Sequence, residues 1–218
     1  PFLMRLTDWL DKRSAGDGAG LDGPEKSPAT AAIVVGYGRF GQTVAQMLQA
    51  KGVGVTLIDK KPSMIERAGE FGTKVYYGDG LRLDLLRTAG AETARLIAFC
   101  NDNKDGELTR DALQAVLEAF PQAAVMVRAY DRRQVMEWAD LDIDFIQREL
   151  FESAVIMGRE ALLKLGVARR EAERVESEYR LRDIERLRLQ AASGDIRSGR
   201  ESMFTADRPL ADEAKEPG

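Results

Sequence analysis

Apolar and polar positions alternate between two rhythms from residue 30 to residue 148. Short apolar runs of strand length recur at Ala31–Val35, Val53–Ile58, Lys74–Tyr77, Leu96–Phe99, Ala124–Val127 and Asp144–Ile146. Runs this short and this continuously apolar suit parallel strands buried on both faces. Between them the apolar positions fall three and four apart, the spacing of one helix face. Helices are expected over 40–51, from Pro62 onward, over 81–88, over 104–119 and over 132–139. Pro62 suits a first helical position, where its missing N–H is no loss. In the long helix Leu108, Ala112, Leu113, Val116 and Leu117 would share one face. Strand and helix in strict alternation predict an α/β fold: a Rossmann-like, doubly wound, six-stranded parallel sheet, followed by C-terminal helices.

The strand rhythm stops at Arg148. Residues 149–165 keep an apolar stripe of Phe151, Val155, Met157 or Gly158, Leu162 and Leu165, which Gly166 ends. Residues 168–190 read as a charged helix with Glu and Arg three or four apart and sparse apolar positions at Val175, Tyr179, Ile184 and Leu187. At the other end, residues 11–29 are rich in Gly, Asp, Ser and Pro and read as a linker. Phe2–Leu10 is amphipathic and carries Trp9. It fits either a short helix packed on the domain or the cytoplasmic end of a segment inserted upstream. Pro1 in place of Met makes the chain read as a piece of something longer. The expected organisation is a linker over 1–29, a nucleotide-binding domain over 30–148, a helical dimerisation or regulatory segment over 149–190, and a polar, disordered tail over 191–218.

Composition narrows the chemistry. Lys plus Arg number 32 against 36 Asp plus Glu, a net charge of −4, which argues against a nucleic-acid partner. No run of about 18 apolar residues is present to span a bilayer. The chain has no histidine and one cysteine, Cys100. That removes the usual general base and the commonest metal ligand, makes a zinc site untenable, and suits a reducing compartment. Cys100 reads as a small buried residue rather than a sensor thiol.

Gly36-Tyr37-Gly38-Arg39-Phe40-Gly41 follows a strand and opens a helix, the context in which G-x-G-x-x-G binds dinucleotides. Gly36 would make the turn, Gly38 let the backbone approach a pyrophosphate, and Gly41 let helix and sheet pack closely. The helix N-terminus offers N–H groups and a positive dipole to phosphate. Roughly 20 residues on, Asp59 ends the second strand, where a carboxylate takes both ribose hydroxyls and repels a 2′-phosphate. Lys60 and Lys61 follow it, as a solvated turn or as part of the site. Asp79 on the same rim would meet the adenosine or cap the next helix. Asn101, Asp102 and Asn103, after the fourth strand, would line the site or cap a helix beginning near Lys104.

The run Val35–Gln42 resembles the nucleotide loop of Kef-type potassium efflux systems, and so do Phe71–Asp79, Arg128-Ala129-Tyr130-Asp131 and Arg148-Glu149-Leu150-Phe151-Glu152. The resemblance covers roughly residues 30 to 185 and keeps the order and spacing of all four segments. The resemblance implies the regulator-of-potassium-conductance (RCK, or KTN) domain of a glutathione-regulated potassium/proton antiporter. Such a domain binds NAD(H) or AMP, forms a homodimer, and works at the cytoplasmic face of the inner membrane, attached to its own upstream transmembrane antiporter domain. It further implies a glutathione-like ligand near Arg148, Phe71, Asp131, Glu152 and Asp183. Two positions depart from the glutathione-gated pattern, Gln46 for an arginine and Asp183 for an asparagine. The added negative charge of Asp183 disfavours an anionic peptide.

The resulting expectation is a regulatory nucleotide-binding domain with no catalytic residues and no enzymatic turnover. A small NAD-dependent oxidoreductase is the alternative, but it needs a proton donor beside the nicotinamide and a substrate domain. A soluble subunit docking on a separate transporter is a third reading.

Overall fold

The computed structural model describes residues 30–70 and 73–210. Its elements are β1 (Ala32–Val35), α1 (Arg39–Ala50), β2 (Val55–Asp59), α2 (Pro62–Glu70), β3 (Tyr76–Tyr77), α3 (Leu83–Thr88), β4 (Leu96–Phe99), α4 (Arg110–Ala119), β5 (Ala124–Ala129), α5 (Arg132–Glu137), β6 (Phe145–Arg148), α6 (Phe151–Lys164) and α7 (Arg169–Ser193). A single 3-10 turn follows at Arg200–Ser202. The described residues divide into two compact units: one runs from Thr30 to Tyr130 and takes in Leu141–Gln147, the other comprises Asp131–Asp140 and Arg148 to Leu210.

The first unit carries the sheet, in the order β3-β2-β1-β4-β5-β6. β1 pairs in parallel with both β2 and β4, β2 with β3, and β4 with β5. The doubly wound sheet is therefore present, with its order reversing between β1 and β4. The burial pattern shows why these strands read as they do. β1 is buried at every position and β4 at all but its first, so neither has a polar face to alternate. β5, nearer the edge, exposes Met126 between the buried Val125 and Val127. α1 presses Gly41 and Ala45 onto the sheet, with Val44 and Leu48 beside a core of Val34, Tyr37, Leu57, Ala68, Val75 and Cys100. It stops at Gly52, whose φ of +69° is the left-handed conformation that ends helices cheaply.

One helix is shorter than the periodicity predicts. The expected 104–119 helix begins only at Arg110. Asn103 explains the difference: its Oδ1 accepts from the Leu108 N–H at 2.7 Å and its Nδ2 donates to the Leu108 carbonyl at 3.2 Å. That double bond folds 103–109 into a closed loop. Thr109 then caps the helix by accepting from Ala112 N–H at 3.2 Å. Leu108 is buried as expected, but from a loop rather than from a helix face.

In the second unit α6 and α7 pack on one another, and α5 packs on α7. The ladder of Glu and Arg along α7 forms i,i+3 and i,i+4 pairs, Glu171–Arg174, Glu176–Arg180 and Glu178–Arg182 among them. The polar stretch after Ala191 departs from the expected structureless tail as far as residue 210. α7 runs on to Ser193, Gln190 donates to the Ile196 carbonyl at 2.5 Å, and Thr205 bridges Arg208. Residues 1–29 and 211–218 and Phe71 lie outside the described residues.

Candidate nucleotide site and a separate arginine cluster

β1, β2 and β4 are parallel, so their carboxyl ends share one rim, and the glycine loop rises from it at the point where the strand order reverses. Gly36 has a φ of +91°, and a Cβ there would stand 2.5 Å from the Asn101 backbone nitrogen. A Cβ on Gly41 would stand 1.9 Å from the Gly36 carbonyl oxygen. Both glycines are therefore required by the protein itself. Gly38 is different. Its φ of −70° suits any residue, and nothing lies within 4 Å of where its Cβ would be. It is the N-cap of α1, with no side-chain cap and no acidic residue in the first turn. The helix thus presents its first N–H groups and the positive end of its dipole to open space.

Asp59 is buried and spends each oxygen on the backbone: Oδ2 accepts from Tyr37 N–H and Oδ1 from Lys61 N–H, both at 2.7 Å. The carboxylate thereby fixes the start of the glycine loop. Each oxygen has a second lone pair, so the group retains acceptor capacity toward a sugar hydroxyl. Asn101 stands across the loop, with its Oδ1 buried and lacking a hydrogen-bond partner, an acceptor that a ligand hydroxyl or amine would satisfy.

Other expected site residues take different parts. The Tyr37 side chain lies in the core and Phe40 packs against it, so both serve the site through backbone. Phe40 also carries the Arg128 guanidinium 5.2 Å from its ring centre, and Arg128 donates to the Cys100 carbonyl at 3.2 Å. Arg39 is exposed beside the open N-terminus. Asp79 accepts from Leu81 N–H at 3.1 Å and Asp102 from Lys104 N–H at 3.1 Å. Each makes a turn, and neither caps a helix: α3 has Arg82 at its N-cap and α4 has Thr109. Lys60 is tied to Glu107 in an ion pair. The pattern gave no sign of Glu107; Asn103, expected to line the site or cap a helix, instead closes the 103–109 loop through Leu108. Cys100 is buried, and burial pushes its thiol up to about 12 against the smaller pull of Arg128. It is a protonated packing residue at neutral pH.

The second unit gathers charged residues around Asp183, which is 5% exposed. Arg132 binds its Oδ1, Arg148 donates to Oδ2 at 2.8 Å, and Arg186 reaches Oδ1 at 3.2 Å. Arg132 also donates to Gln190 Oε1 at 3.0 Å. Desolvation draws the Arg132 guanidinium below its ordinary value, against the pull of Asp183. Arg148 stacks 4.1 Å from the centre of the Phe151 ring, which in turn stacks on Tyr179 at 6.2 Å. Glu152 takes two 2.8 Å bonds from Arg180, which hold its carboxyl below the usual range. Arg159 is bonded to Glu160 and Glu176. Asp131 accepts from Arg133 N–H at 2.9 Å and Gln134 N–H at 3.1 Å, capping α5. Of the residues expected to meet a glutathione-like ligand, Arg148 and Asp183 therefore meet each other, Glu152 is bound by Arg180, and Asp131 is a helix cap. Leu150, the corner before α6, has a φ of +62°, a strained conformation for a residue with a side chain. Among the described residues no group of His, Cys, Asp and Glu is arranged to hold a metal.

The TrkA-N domain signature matches residues 32–148. A glutathione-regulated potassium-efflux system protein of Haemophilus influenzae is 41% identical over 162 residues, which cover 74% of this chain and 26% of that protein. The chain thus spans about a quarter of that relative's length. Among solved structures, the AMP-bound Kef C-terminal domain of Shewanella denitrificans superposes with a TM-score of 0.62 at 36% identity, over 74% of this chain and 98% of that one. The ADP-bound GsuK structure gives a TM-score of 0.52 at 25% identity, over 65% and 36% of the two chains.

Proposed function

Because the chain belongs to the TrkA-N domain family, we propose that it is the nucleotide-binding regulatory domain of a potassium/proton antiporter of the efflux type. An adenine nucleotide, AMP or NAD(H), occupies the rim above β1 and β4. The observation that carries this reading is Gly38: it is the one glycine of the loop that the protein's own packing does not require, and it stands at an uncapped helix N-terminus. A missing side chain there serves close approach of a phosphate. Asp59 and Asn101 supply acceptors for the sugar or base. The likeness to an AMP-bound Kef domain and to a glutathione-regulated potassium-efflux protein supports the same assignment.

No helix among the described residues is long and apolar enough to cross a membrane. The transport path in this proposal belongs to a membrane domain attached to this one, which itself works at the cytoplasmic face. The domain acts by binding rather than by turnover. The only thiol is buried and protonated, and the chain has no histidine, so neither of these groups is available as a proton donor for hydride chemistry. A homodimer is part of the proposal. Met157 in α6 and Leu165 at its C-cap are 74% and 82% exposed, with Ile156 and Ile184 also half bare, and a two-fold would cover such apolar surface. A glutathione-like ligand must compete with Asp183 for Arg148, so its binding is weak. The direct test is a calorimetric titration with AMP and with NAD. Saturable heat is expected from at least one, and no heat from either at millimolar ligand removes the reading.

A further inference from the structure

The Lys60–Glu107 ion pair joins residues 47 apart in sequence. Lys60 leaves the carboxyl end of β2 directly after Asp59, and Glu107 stands in the 103–109 loop beyond β4. β1 lies between those two strands, so the pair bridges the strand end from which the Gly36–Gly41 loop departs. Glu107 reaches Lys60 from a fixed stretch of backbone. Its neighbour Leu108 is gripped at both backbone groups by Asn103, itself 1% exposed, and the Glu107 carbonyl accepts from Thr109 N–H at 3.1 Å. A buried clamp thus fixes the backbone from which the half-exposed Glu107 side chain reaches Lys60.

Both partners are about half exposed, and such a pair adds little to stability. Its consequence is electrostatic. A ribose seated on Asp59 turns its 2′ side toward the residue that follows the second strand. A lysine there would by itself attract a 2′-phosphate through charge-assisted hydrogen bonds. Glu107 engages that ammonium and adds a second negative charge, so Asp59, Lys60 and Glu107 together carry one net negative charge where a 2′-phosphate would arrive, with Lys61 the remaining cation of that turn.

We propose that Glu107, acting through Lys60, is a specificity-determining residue that excludes 2′-phosphorylated adenine nucleotides from the rim; the inference rests on the nucleotide reading above. The exclusion is shared: Asp59 repels the extra phosphate, and Glu107 engages Lys60, the cation directly after it.

The test is a calorimetric titration of the 218-residue chain with AMP and with adenosine 2′,5′-bisphosphate. It is run on the wild type, Glu107→Gln, and Glu107→Gln with Lys60→Met. Glutamine keeps the shape of the side chain and removes its charge. The affinity ratio favouring AMP is expected to fall by roughly tenfold in Glu107→Gln, the worth of one hydrogen bond to a charged group, and to return toward the wild-type ratio in the double variant. A ratio unchanged in Glu107→Gln assigns exclusion to Asp59 alone and overturns the inference, while leaving the nucleotide reading intact. A gain that persists without Lys60 overturns it as well. Absence of AMP binding in the wild type removes the nucleotide reading and this inference together.

Discussion

Replacing Gly38 by alanine separates a glycine kept for a ligand from glycines kept for the fold. The site is sterically open to a Cβ, and its φ of −70° and ψ of −175° are ordinary for alanine. Two small effects oppose each other in the free protein. Alanine is a poorer N-cap than glycine, by about 0.5–1 kcal/mol, and it restricts the unfolded chain, worth about 0.4–1 kcal/mol in the other direction. The melting temperature of the free domain is therefore expected to move by no more than about 3 °C, taking 2–4 °C per kcal/mol for a chain of this size. Binding behaves differently. AMP at a hundred times its dissociation constant stabilises the native state by about 2.7 kcal/mol, an upward shift of about 5–10 °C. A methyl group between the phosphate and the helix N-terminus removes one charge-assisted hydrogen bond, about 1.5–3 kcal/mol. The same AMP concentration should then raise the melting temperature of Gly38→Ala by no more than about 5 °C. Gly36→Ala, which would press a Cβ against the Asn101 backbone, should lower the melting temperature of the free protein itself. Differential scanning fluorimetry with and without AMP reads all three quantities. A full AMP shift retained in Gly38→Ala would refute the placement of the phosphate, and an unstable Gly38→Ala would refute the description of the loop.

Asp183→Ala should destabilise the domain by about 3 kcal/mol in urea unfolding, because it leaves three mostly buried arginines without their shared carboxylate. Asp183→Asn should bind glutathione or a bulky S-conjugate more tightly than wild type does, since Arg148 is then released from a competing anion; equal calorimetric titrations would place the ligand elsewhere. Cys100, its thiol raised to about 12 by burial, should react with a thiol reagent at pH 8 only as fast as the domain unfolds, and rapid labelling of folded protein would contradict its burial. The acid side of stability should depend on Glu152. Its carboxyl is held low by Arg180, so its contribution is complete above the ordinary carboxylate range, is lost as pH falls through the lowered value, and should be missing from the pH profile of Glu152→Gln. Sedimentation should find a dimer that Met157→Lys with Leu165→Lys converts to monomer; a wild-type monomer at tens of micromolar would remove the dimer from the proposal.

The alternation of strand-length apolar runs with helical periodicity was sufficient to specify the doubly wound sheet, because burial on two faces or on one stripe leaves a periodic trace along the chain. The glycine loop was legible for a related reason. Positive φ at Gly36 and close packing at Gly41 are local demands that only one residue type meets, and Asp59 stands at a spacing that the βαβ unit fixes. What each polar side chain binds was not legible. Asp183 is bound by Arg148 and Arg132, 35 and 51 residues away, and Lys60 by Glu107, 47 residues away. A charged residue on a helix carries the same local pattern whether it faces water, a ligand or another element, so only the packing within the second unit, of α5 on α7 with Arg148 beside them, decided that Asp183 joins three arginines. The loop over 103–109 was decided in the same way. Helical spacing continued through it, and the two bonds from Asn103 to Leu108 outweighed that propensity because a buried amide must find partners. Gly38 needed both levels: the motif named it, and the empty space around it in the folded chain set it apart from Gly36 and Gly41.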